Sequence, residues 1–289
     1  MILAGSPVFA QGSVTDVPVG AAAAQGVNKD WLPSRTNDGA YDRIGSHVVM
    51  PIPWQRIRED DILWKKRVWR EIDTREKQNV AFRYAGDENT GGGMFIEILI
   101  DAIKKGKIPA YKNFDDRFTT SMTKEDILES VAGKVDTQVV EDPVTGTQQI
   151  KVINRDFDPT TITKYRIKED WIFDRNQGQM VVRIVGIAPV KDIYGDAGDF
   201  RGSQAMFWLY YPSIRELLAQ YEVFNPQNDV MRYTWDEFFE SRQFASRITK
   251  VSNAFGQEFK DHLNPMETLY ESRRTADEIF NKEADMWVY

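Results

Sequence analysis

The sequence predicts an α+β fold: a single domain with an antiparallel sheet flanked by helices, preceded by a flexible N-terminal arm. Three observations predict it. Apolar residues recur at helical spacing toward both ends of the chain. The middle, from about residue 135 to 211, alternates or runs apolar between turn-forming residues. No repeat and no linker divides the chain after residue 50. With 289 residues, 42% hydrophobic and 28% charged, the chain is long enough to bury a sizeable core and has an ordinary globular balance.

The elements follow in order. Residues 1–10 suggest export: Ile2-Leu3-Ala4-Gly5 is a short apolar run, Ser6-Pro7 breaks it, and Val8-Phe9-Ala10 puts small residues where a signal peptidase reads. No Lys or Arg precedes Lys29, so the segment is read as a signal-peptide remnant whose start lies upstream, with the mature chain beginning near Gln11. Residues 11–50 lack any sustained period and read as a flexible arm. Its large side chains, Trp31 and Tyr41 above all, are candidate anchors on a neighbouring surface. Residues 51–289 form the predicted domain. Pro51 and Pro53 fix an extended lead-in.

From about Ile57 to Lys77 the spacing predicts a helix. At about 100° per residue, Ile57, Trp64, Val68 and Ile72 share a face, and Asp61–Lys65, Glu71–Arg75 and Asp73–Lys77 are acid-before-base pairs. Lys65 and Trp69 fall on the flank of that stripe, at about 80° and 120° from Ile57. They are candidate partner-interface residues, while Trp64 is expected in the core. A bland account has Lys65 snorkelling past the core edge.

A second helix is predicted from about Met94 to Lys105, with Gly106 in the C-terminal cap position. A third begins at the Thr123 cap. Val135–Glu141 and Gln148–Asn154 flank the turn Asp142-Pro143-Val144-Thr145-Gly146. Strands follow through Tyr165–Phe173, Met180–Ala188 and Ala205–Tyr211, the first two joined at Asn176-Gln177-Gly178. Ser213–Tyr221 reads as helix behind Pro212. Thr234-Trp235-Asp236-Glu237 is a capping box opening another. Ser246–Ser252 is ambiguous. Pro265–Ala284 is expected to be helical, with Leu269, Ala276, Ile279 and Phe280 on one face.

Composition narrows the chemistry. The chain has no cysteine, which excludes thiol nucleophiles, disulfides and a lipid-modified cysteine, and only His47 and His262 as histidines. Net charge is −7, with basic residues interleaved among acids, a poor match for nucleic acid. No segment approaches the length of a membrane span. Asp192, Asp196 and Asp199 with their glycines lack calcium-loop spacing. Gly91-Gly92-Gly93 lacks the Lys-Ser/Thr of a phosphate loop. Paired acids such as Asp115-Asp116 read as solvated. No catalytic, cofactor or metal residue is assigned.

Several strings carry a resemblance. Asp61–Asn79, Trp208-Leu209-Tyr210-Tyr211-Pro212-Ser213-Ile214-Arg215, Val223–Asp229, Thr234–Phe239 and the closing Asp285-Met286-Trp287-Val288-Tyr289 resemble the GldN/PorN family of gliding motility and type IX secretion. The similarity spans roughly residues 37–289. It implies a periplasmic, non-enzymatic structural subunit without cofactor or membrane insertion. Such a subunit would self-associate in a ring with an outer-membrane lipoprotein of PorK/GldK type and contact the PorM/GldM-type motor subunit. A periplasmic carboxylate-based hydrolase, or a carbohydrate-binding protein using exposed tryptophans, is the alternative. The first needs two carboxylates with separated pKa values in a pocket; the second needs tryptophan faces open to solvent.

Overall fold

The computed structural model describes residues 50–85, 93–131, 135–141, 148–154, 157–194, 199–225, 227–228 and 233–286. Residues 1–10, expected as an export segment, Trp31, Tyr41, most of the predicted arm and the closing Trp287-Val288-Tyr289 lie outside the described residues. The fold is α+β, as the patterning predicts.

Its frame is a seven-stranded antiparallel sheet. The strands are β1 (Ile62–Asp73), β2 (Ala110–Lys112), β5 (Ile162–Asp174), β6 (Gln179–Tyr194), β7 (Phe200–Ala205), β8 (Phe207–Tyr210) and β9 (Arg247–Val251). They run in the order β2-β8-β6-β5-β1-β9, with β7 also paired to β6. β3 (Val135–Glu141) and β4 (Gln148–Asn154) make a separate hairpin in unbroken register, as their flanking turn residues predict. The β5–β6 hairpin turns at Gly178, whose φ of +63° favours glycine.

β1 corrects the most explicit expectation of the sequence. The segment predicted as a helix is a strand, paired to β5 over nearly its whole length and to β9 over its second half. Trp64, Val68 and Ile72 are four apart, which is close to one helical turn and also an even number of strand residues, so they share a face in either structure. What a helix does not accommodate is burial on the other side: Trp69, Glu71 and Asp73 are buried too. The presumed i,i+4 pairs are not made; Asp73 holds Arg75 instead, at 2.6 Å.

The face carrying Ile72, Tyr165 and Ile167 is covered by α1 (Phe95–Lys104), α2 (Lys124–Val131), α3 (Tyr211–Leu218) and α4 (Trp235–Glu240), which share the main core with it. α1 is capped from within, as Glu97 Oε2 accepts the Met94 N–H at 2.6 Å. A Cβ on Gly93 would press on that carboxylate, so a side chain there would displace the cap. At α4 the capping box is formed: Glu237 N–H donates to Thr234 Oγ1 at 3.3 Å and Thr234 N–H to Glu237 Oε2 at 2.8 Å. Phe82 is the hub of this core, with ring centroids 5.1–5.9 Å from Phe95, Tyr165, Trp235, Phe238 and Phe239.

The far end of the same face, with Trp64 and Val68, packs against Ile248, Val251, Phe259 and Ile279. Ile279 belongs to α5 (Pro265–Met286), which closes the sheet at β9. The expected apolar face of α5 needs correction. Ser272, Thr275 and Ile279 are buried, while Leu269 and Phe280 are 49% and 71% exposed. The cause is the edge of β9: the Ile248 N–H donates to Ser272 Oγ at 2.9 Å, so small residues with an acceptor bring the helix against an otherwise unpaired strand edge.

Phe82→Ala is expected to lower stability by about 3–5 kcal/mol, the range for a buried Phe. Phe114→Ala, at a residue 77% exposed, is expected to stay within about 0.5 kcal/mol. Urea titrations of both variants check this; near-equal midpoints would contradict the placement of Phe82 at the hub.

Candidate functional site

Strand alternation puts Lys65, Arg67, Trp69, Glu71 and Asp73 on the face of β1 opposite Trp64 and Val68. Their cross-strand partners on β5 are Ile172, Asp170, Lys168, Arg166 and Lys164. The result is a face dominated by ion pairs. Asp170 accepts both Arg67 Nε (2.6 Å) and Lys65 Nζ (2.9 Å). Glu71 faces Lys164 (3.3 Å) and Arg247 (3.6 Å). Arg166 reaches Glu258 at 2.8 Å.

Amid these charges lies one apolar island, formed by Trp69, Ala188, Ala205 and Trp208 with Tyr111 and Phe118 packed on it. Residues 113–119 form a strap over it. Asp115 organises the strap by accepting the N–H groups of Arg117 (3.1 Å), Thr119 (2.8 Å) and Thr120. Burial works against the Asp115 charge, but these bonds outweigh it and hold the carboxyl well below the usual range. Phe118 sits in the left-handed region at φ +61°. That conformation lays its ring against Gly186, where a Cβ would stand 2.5 Å from the ring carbon. The glycine is what lets the strap close on β6.

Trp69 itself is 9% exposed. Its Nε1–H donates to Asp116 Oδ2 at 3.1 Å, tying strand to strap. Two ammonium groups lie over its ring, Lys250 at 4.7 Å and Lys168 at 5.6 Å from the centroid. Lys168 is 3% exposed and also donates to the Asp116 backbone oxygen. Burial pushes its ammonium pKa down, against the pull of Asp116.

The structure therefore brings Lys65 and Trp69 to one face of the sheet. Lys65, with 43% of its side chain exposed, stands at the open end, and Trp69 lies under the strap. Trp64 is on the opposite face, as expected, although its neighbours there are set by a strand and not a helix. Sequence patterning does not mark Lys168, Phe118 or Gly186, since their partners lie far away along the chain. The Asp115-Asp116 pair, read there as solvated, is engaged in the strap: Asp115 is buried and Asp116 accepts the Trp69 N–H.

The carboxylates here are committed to cations and N–H groups. Carboxyl pKa values move down at Asp73, Asp115, Asp126, Asp158 and Asp170. At Asp115 and Asp170 burial, the largest single influence, is outweighed by the hydrogen bonds accepted. Among the described residues no cluster of His and acidic side chains has metal-binding geometry. Asp196 and its flanking glycines, and Gly91-Gly92, lie outside the described residues. Asp192 accepts Thr163 and Ser203 hydroxyls at 2.9 and 2.6 Å.

The Asp170 carboxyl sits below its ordinary value because Arg67 and Lys65 outweigh its burial. Its contribution is thus present above the unfolded aspartate value near 3.8 and is lost as pH falls below it. Asp170→Asn is expected to cost about 1–2 kcal/mol at pH 7, between the figures for exposed and buried pairs. The gap from wild type should narrow at pH 3. Urea midpoints at both pH values check this, and a gap that widens in acid would contradict it.

A family model described as gliding motility associated protein GldN matches residues 57–288. It takes in the whole sheet, the strap and α5. No curated protein matches the chain.

Proposed function

The chain belongs to the GldN family, and on that premise we propose that it is a non-enzymatic structural subunit forming a periplasmic ring with an outer-membrane lipoprotein of PorK/GldK type. The family is a component of the gliding motility and type IX secretion machinery. In the proposed assembly the subunit also self-associates around the ring and touches a PorM/GldM-type motor subunit in the periplasm. No helix among the described residues is long and apolar enough to cross a membrane, so attachment to the outer membrane would come through the lipoprotein.

The observation that carries this reading is the family match over most of the chain. The site geometry supports its non-enzymatic part. A carboxylate hydrolase needs one carboxyl held protonated near neutral pH, whereas the displaced carboxyls here are driven toward the charged form. A sugar-binding platform needs open tryptophan faces; of the six described tryptophans, Trp69, Trp208 and Trp235 are buried and the others partly buried. The ion-paired face of the sheet is the proposed contact surface, with Lys65 at its open end and Trp69 fixed beneath the strap. Trp31 and Tyr41 are proposed to reach a neighbouring subunit.

Co-expression with the lipoprotein partner, followed by size-exclusion chromatography and electron microscopy, tests the reading. Closed symmetric particles far larger than a heterodimer are expected. Lys65→Gln, which puts no second acid beside Asp170, should cost no more than about 1 kcal/mol of stability and reduce assembly at least tenfold. A chain that stays monomeric beside its partner across a range of salt would overturn the reading.

A further inference from the structure

Beside the ion-paired face lies a cavity of ≈690 Å³, within the size range of ligand sites. Its walls come from β1, β5, β7, β9 and the start of α5. The protein as a whole carries a charge of −7, yet here Lys164, Arg166, Arg201, Arg247 and Lys260 outnumber Glu71 and Glu258. Several of these cations are only partly engaged. Arg166 gives Nη1 to Glu258, while its Nε is buried without an acceptor. Arg201 is exposed and has no acidic partner among the described residues. Lys260 pairs with Glu258 at 2.9 Å but keeps 61% of its side chain in solvent.

Hydroxyl and apolar side chains make up the rest of the lining. Phe200 is 59% exposed at the mouth, and Leu269 is 49% exposed on the first turns of α5. Leu263 and Pro265 also line it. Cations interspersed with partly exposed aliphatic and aromatic side chains suit a ligand that is anionic and apolar in alternation. An extended strand of peptide presents side chains in that way.

We infer that this cavity is a docking site for an acidic segment of a partner protein, its carboxylates received by Arg201, Lys260 and Arg247 and its apolar side chains by Phe200 and Leu269. Guanidinium groups grip carboxylates in a planar, two-point geometry. The existing Glu71 and Glu258 act as internal stand-ins that keep the cations in place until the segment arrives. This goes beyond the ring assignment, because it specifies the chemistry the cavity accepts and holds whichever protein supplies the segment.

The test uses the whole chain and a fluorescent peptide in which three aspartates alternate with phenylalanine and leucine, followed by anisotropy. Saturable binding with a Kd on the order of 10–100 μM is expected, weakening with salt. The same peptide with lysine in place of each aspartate should not bind. Arg201→Glu with Lys260→Glu, both at exposed positions, should weaken binding at least tenfold without moving the melting temperature. Phe200→Ser should weaken it several-fold. Equal binding of the lysine peptide, indifference to the double substitution, or binding of inorganic phosphate or phosphatidylglycerol vesicles in place of the peptide would each overturn the proposal.

Discussion

Strand β1 is hydrogen-bonded on both sides, to β5 along nearly its whole length and to β9 over its second half, and over that half both of its faces are covered. This double constraint fixes the rest of the structure. In a sheet with one solvated face, a slip of one residue exchanges core for surface. Here it would also carry Val68 and Ile72 into the ion pairs and press Lys65, Arg67, Glu71 and Asp73 into the aromatic core. The register is held by apolar contacts on one side and charge pairs on the other, so neither alternative is tolerable.

The two faces then diverge in what they can do. One is closed by helices around Phe82 and offers no open surface over its middle. The other keeps charged side chains at its open end and folds a strap over the apolar island around Trp69. The strap's backbone conformation at Phe118, its closeness to Gly186 and the bond from Trp69 to Asp116 belong together. Loss of any one would free the others. Substitution of Trp69 would therefore disturb the strap as well as any contact a partner makes, and its effects on folding and assembly are coupled. Lys65 separates them better, being linked mainly to Asp170.

Much of the fold is legible in local chemistry. Gly106 ends α1, Thr234 and Glu237 cap α4, and Gly178 turns the β5–β6 hairpin. Each signal is confined to a few adjacent residues. What was not legible depends on distant pairings. The Trp64, Val68 and Ile72 spacing fits a helix and a strand equally, and only the partners of Trp69 on β5, β9 and the strap decide between them. The inner face of α5 was missed for a related reason: Ser272 and Thr275 are buried because a strand edge needs an acceptor and a close approach, not because they are apolar. For the candidate site, Lys65 and Trp69 do share a face, but through a period of two. Of the residues that complete that face, Lys168 carries no sequence pattern, and Asp116 stands in an acidic pair that reads as solvated until Trp69 is placed beside it.

In the proposed role the ion-paired face of the sheet meets the partner. Hydrogen–deuterium exchange of the chain alone and in complex with the lipoprotein proposed as its partner tests that placement most directly. Slowed exchange on complex formation is predicted in the strap at 113–119 and in the β1 segment from Lys65 to Trp69, with α1, α3 and α4 unchanged. Slowed exchange confined to those helices, with the strap and β1 unaltered, would contradict it.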